Sequence, residues 1–179
     1  MKASKLVSVS SLIVLMATGC TDKTTHNSTL AGMYKLSRIE NFDKATKQWR
    51  EDGLGKDGDS YILYDGIGHM AVHITSKGYK DFTWLPERQA TGKEFLERYI
   101  DSMPSEQLRP ALKEFTSSFV YTANYSVDND SGIVTHNRLS SSVPSVWGTQ
   151  AKRRFAISGD TVILTFLDGT KRLKWLKQP

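Results

Sequence analysis

The chain has 179 residues, a formal net charge of +5, 39% hydrophobic residues and one cysteine, Cys20. That length suits a single domain, and one cysteine excludes an internal disulfide, so the fold rests on its core. The mild charge carries no aromatic–basic stacking motif, which argues against nucleic-acid binding.

Residues 1–19 read as a leader rather than as fold. Lys2 and Lys5 form a basic start, and Leu6 to Thr18 is mostly apolar. This run is shorter than the roughly 20 apolar residues that a membrane-spanning helix needs. Ala17, Thr18 and Gly19 then precede Cys20 in the order of a secretory signal. The Gly19-Cys20 pair resembles the lipobox of bacterial lipoproteins, in which the cysteine becomes the lipidated first residue. That motif usually has leucine three places before the cysteine, where this chain has Ala17. The alternative is an ordinary signal peptide with an incidental cysteine. The resemblance implies lipidation at Cys20, and Thr21 in place of an aspartate implies an outer-membrane lipoprotein facing the periplasm. Loss of residues 1–19 removes Lys2 and Lys5, so the charge falls by two to +3. Residues 20–30 form a polar tether and 31–179 the domain.

Within the domain, Gly32 to Leu36 is the first predicted strand, and residues 41–59 read as a long charged loop near one end. Asp57-Gly58-Asp59 lacks the ligand spacing and closing glutamate of a calcium loop. Tyr61 to Tyr64 is a strand, Asp65 to Gly68 a turn, and Met70, Val72 and Ile74 alternate with His69 and His73. The two histidines are about 13 Å apart on an extended strand and face outward, so they do not form one metal site. Residues 91–116 change to helical spacing. Thr91 caps a first helix, Pro104 breaks the run, and Ser105 starts a second. Before them, Tyr79, Phe82 and Trp84 either pack under the helices or form a lid.

Phe119 to Val127 is the cleanest alternating run. Ile133 to Leu139, Thr149 to Ser158, Thr161 to Leu167 and Thr170 to Leu176 follow as strands separated by turns. The basic clusters Lys152-Arg153-Arg154 and Lys171 to Lys174 are read as a solvated outer face. About eight antiparallel strands without a βαβ pattern indicate an all-β fold. The pattern fits an up-and-down barrel or a sandwich, and closure, which removes exposed edges, favours the barrel, with the helical insertion between predicted strands 3 and 4.

In sequence order, Gly32-x-Tyr34-x-Leu36, Tyr64-Asp65-Gly66-x-Gly68-x-Met70-x-Val72-x-Ile74, Phe119-x-Tyr121-x-Ala123-x-Tyr125-x-Val127-Asp128, Val134-x-His136, Pro144-x-x-Trp147-Gly148 and Arg153-Arg154-Phe155 resemble the bacterial lipocalin-like domain family. The resemblance runs from about Ala31 to Trp175. Tyr34 replaces the family's usual tryptophan and Ala123 its usual glycine, which bears on packing at the closed end and on strand bending. The resemblance implies a calycin-like barrel with an interior cavity. It does not imply one function, because related barrels include carriers and enzymes.

The candidate ligand contacts are Tyr64, Met70, Val72, Tyr121, Tyr125, His136, Trp147, Arg153 and Phe155. Apolar walls with Tyr, His and Arg suit a small hydrophobic or amphipathic ligand. His136 is more often a satisfied core residue, the tyrosines can be core with hydroxyls bonded at the rim, and Arg153 is equally readable as a cap stacked on Tyr34 or Trp147. No serine elbow, zinc motif or phosphate loop is present, and neither a metal nor a cofactor is expected. Two other roles stay open. One is an isomerase- or cyclase-like enzyme using His136 and a tyrosine. The other is an envelope interaction module docking through residues 91–116, for which an exposed apolar patch on that segment would speak. The oligomeric state is left open.

Overall fold

A computed structural model describes residues 28–54, 58–87 and 92–179. The expectations for the leader, for Cys20, for most of the tether and for capping by Thr91 lie outside the described residues.

The strands are β1 (Gly32–Asp43), β2 (Gln48–Asp52), β3 (Tyr61–Tyr64), β4 (His69–Ile74), β5 (Phe119–Asp128), β6 (Ile133–Ser141), β7 (Gln150–Ser158), β8 (Thr161–Phe166) and β9 (Lys171–Lys177). Neighbours in space are almost all neighbours in sequence, and every pairing is antiparallel. β1 also pairs with β9, from Tyr34↔Lys177 to Asn41↔Lys171. This contact closes an eight-stranded barrel of β1 and β3 to β9 and leaves the wall without an open edge. β2 is the ninth strand and lies outside that circuit.

β2 and the outer half of β1 correct the loop expected over 41–59. Phe42 and Trp49 face each other across the β1–β2 pair with ring centroids 5.2 Å apart. Arg172 of β9 lies 4.2 Å from the Trp49 ring centroid. Beneath this cover, Glu40 is buried on the outer wall, where Arg172 and Lys174 donate to its carboxylate. Burial alone would raise its pKa, but the hydrogen bonds and charges of Arg172 and Lys174 outweigh it and hold it below the usual range. Asp59 is likewise a bridge between Lys35 and Lys80.

Two bulges set which side chains point inward. Register shifts between Leu36 and Arg38 in β1, so Ile39 rather than Arg38 returns to the core. Opposite Thr122 and Ala123, β6 carries Leu139 as an extra residue, which is exposed while Arg138 stays turned toward the Phe119 and Tyr121 rings.

The end near residues 30–34 is closed. Leu30 has no exposure and Tyr34 is buried with its hydroxyl donating to Ala31 O at 3.4 Å. The phenol oxygen of Tyr125 accepts from Gly66 N–H at 3.1 Å, at the β3–β4 turn. Asp65 organises that turn by accepting from the backbone N–H groups of Ile67, Gly68 and His69. Gly66 sits there at φ 83°, where a side chain would be strained.

The helical insertion joins β4 to β5 at the opposite end. It contains a 3-10 turn (Lys77–Asp81), α1 (Lys93–Asp101) and α2 (Ser105–Ser117). Gly92 occupies the N-cap position of α1, without a side-chain cap. Tyr79 and Phe82 pack edge-on or tilted against Phe115 of α2, at 5.2 and 5.6 Å. Tyr79 also meets His73 on the outer wall at 6.0 Å. The loop aromatics therefore pack beneath the helices rather than form a lid.

Candidate functional site

The barrel interior divides into two storeys. In the closed half, Tyr64, Met70, Ala123, Tyr125 and Val134 are all buried and fill the space. Above them is a cavity of about 190 Å³. Its walls are mostly apolar, including Ile39, Val72, Phe119, Leu164, Phe166 and Leu173, with Leu54 at the β2 end. Its polar members are Tyr121, His136, Arg153, Lys171 and Trp175.

His136 forms the floor and is 2% exposed. Its Nε2 lies 2.9 Å from the Tyr64 hydroxyl and its Nδ1 lies 2.8 Å from the Tyr121 hydroxyl. Burial, then the positive fields of Arg153 and Arg138, push its pKa down from 6.5 to about 3. The imidazole is therefore neutral at physiological pH. A neutral imidazole has one N–H and one lone pair, so it donates to one tyrosine and accepts from the other. Burial raises the pKa of both phenols. The trio is an uncharged, mutually satisfied network. A general acid or base works best with a pKa near the working pH, and no member of the trio meets that condition.

Arg153 reaches the cavity from β7, with its guanidinium 3.7 Å from the Phe166 ring centroid. Phe166 is its cross-strand partner. The stacking partner is thus Phe166, not Tyr34 or Trp147. Lys171 stands at the mouth, where Asp52 accepts from it at 3.2 Å and from Asn41 at 3.0 Å. Trp175 is 1% exposed, and its indole N–H has no hydrogen-bond partner among the described residues.

Of the nine residues expected at the ligand, the structure brings Val72, Tyr121, His136 and Arg153 together on the cavity wall. Tyr64, Met70 and Tyr125 point inward but belong to the filled storey below. Phe155 packs against the core without lining the cavity. Trp147 is 58% exposed in the β6–β7 loop and does not reach the interior. Sequence reasoning missed Lys171, Leu173 and Trp175. Their signal was present, since they alternate along β9 with Arg172 and Lys174. The outer-face reading of both basic clusters is corrected accordingly, because Arg153 and Lys171 line the cavity while Arg172 and Lys174 lie outside.

A second concavity, of about 460 Å³, lies on the helical hairpin among Trp84, Leu85, Ile100, Leu108, Leu112 and Phe115. Leu112 is 64% exposed there, so the insertion does carry an apolar surface patch. No helix among the described residues is long and apolar enough to cross a membrane.

Among solved structures, a lipocalin-like protein from Bacteroides uniformis resembles this chain at 10% identity. The alignment covers 83% of this chain and 98% of that one, with a TM-score of 0.42. No curated protein matches. The profile of the lipocalin-like domain matches residues 31–176, nearly all of the barrel. With its closed eight-stranded antiparallel wall, the chain belongs to the lipocalin-like domain family.

Proposed function

We propose that the protein is a lipid-anchored carrier of the periplasm that holds a small hydrophobic or amphipathic molecule in its barrel. The supporting observation is the cavity above His136, walled by apolar side chains and entered beside Lys171. Its volume of about 190 Å³ exceeds the roughly 150 Å³ of an engineered apolar cavity that binds benzene. It falls below the roughly 300 Å³ at which drug-sized pockets begin. The guest is therefore about the size of one ring. The lipobox-like Gly19-Cys20 pair supports the membrane attachment. Two acyl signals or more give stable anchoring, at about 0.8 kcal/mol per buried CH₂.

Both halves have a direct test. Native mass spectrometry of the purified protein should detect a saturable one-to-one complex with single-ring compounds, and Leu164→Trp, which fills the cavity, should abolish it. Unchanged binding by Leu164→Trp would place the guest elsewhere. Cys20→Ser should move the protein from the membrane to the soluble envelope fraction and remove acyl labelling. Persistence of both in that variant would refute the anchor.

A further inference from the structure

We propose that the guest is a small carboxylate, a single-ring aromatic acid or a short acid of similar volume, whose anionic oxygens meet Arg153. This deepens the carrier reading and rests on the cavity being a ligand site.

The first observation is a charge imbalance. The cavity lining contains Arg153 and Lys171 but no aspartate or glutamate. Lys171 is paired with Asp52. Among the described residues, no carboxylate lies within ion-pair distance of Arg153 or of Arg138, and only the more distant Asp168 reaches Arg153 with its field. Arg138 stands 5.0 Å over the Tyr121 ring and adds its field to the same space. Arg153 is half-buried, and a guanidinium partly withdrawn from water gains from an anion that faces it. Stacking on Phe166 and one hydrogen bond to Lys152 O leave most of the Arg153 donors unused.

The second observation is the unused guanidinium fork, since a carboxylate can accept two parallel N–H bonds from Arg153 at once. The neutral floor contributes differently. His136 and Tyr121 already satisfy each other, so the base of the cavity makes no competing demand on the ligand oxygens. The third observation is size, since the apolar walls admit one ring or its equivalent rather than a long acyl chain.

Calorimetric titration of the whole purified protein with benzoate and with benzamide provides the test. The two have nearly the same shape, and only benzoate is charged. A hydrogen bond to a charged group contributes about 1.5–3 kcal/mol, so benzoate should bind roughly ten- to a hundredfold more tightly. Arg153→Gln should erase that preference and bring the two affinities within about threefold of each other. Should that variant not fold, the indole ¹⁵N–H resonance of Trp175 in the wild type should still move with benzoate in a saturable way. Equal affinities, or tighter benzamide, would overturn the carboxylate assignment and leave the carrier reading intact. Binding of neither would overturn both.

Discussion

Replacing His136 with leucine is expected to destabilise the barrel by about 1–3 kcal/mol, the cost of leaving the buried Tyr64 hydroxyl unpaired. The imidazole bridges Tyr64 and Tyr121 at 2.9 and 2.8 Å, and leucine offers neither hydroxyl a partner, while Arg138 still reaches the Tyr121 hydroxyl. Typical domains are stable by only about 5–15 kcal/mol, so the loss takes a large share. The triple change His136→Leu, Tyr64→Phe, Tyr121→Phe should recover most of it, because removing every partner leaves nothing unsatisfied. Urea midpoints of the single and triple variants check this. A single variant within about 0.5 kcal/mol of wild type would show that the trio contributes little.

The same residue has a pH signature. Its folded pKa of about 3 lies below the ordinary 6.5, so between these values the unfolded chain binds more protons than the folded one. Stability attributable to neutral His136 is whole above about pH 6.5 and is lost as pH falls toward 3. The wild-type stability curve should therefore be steeper across that interval than the curve of His136→Leu. Parallel curves would contradict the buried neutral state.

Trp175 should separate packing from hydrogen bonding. Trp175→Ala removes one of the largest buried side chains beside an existing cavity and should cost about 3–5 kcal/mol. Trp175→Phe should stay within about 1 kcal/mol of wild type. It loses some contact volume, but it also removes an indole N–H that has no partner among the described residues, and the two effects oppose each other. Thermal or urea unfolding measures both variants. A loss of several kcal/mol in Trp175→Phe would mean that the indole N–H is satisfied in the folded protein.

The wall of the barrel was legible because an antiparallel sheet with one buried face writes itself as alternation. Phe119 to Val127 shows this plainly. β2 was not legible. Gln48 to Asp52 carries one aromatic among charges, and it is held by pairing with the outer half of β1 and by the Arg172–Trp49 stack, both contacts with distant chain. Lys171 was misread for a related reason. Its charge suggested solvent, although its phase with Leu173 and Trp175 pointed inward. Within the site, alternation told which side chains face the interior but not their height along the axis. Height depends on strand stagger, which placed Tyr64, Met70 and Tyr125 in the filled storey and His136 at the boundary. The His136–Tyr64 contact joins residues 72 positions apart, on strands that are not neighbours, so no local pattern announces it.

Crystals of the protein pressurised with xenon would probe the cavity itself. Xenon should occupy one site bounded by Val72, Tyr121, Leu164 and Trp175, above the His136 ring. Side chains filling that volume, with no xenon bound, would contradict a carrier role and leave a solid barrel in its place.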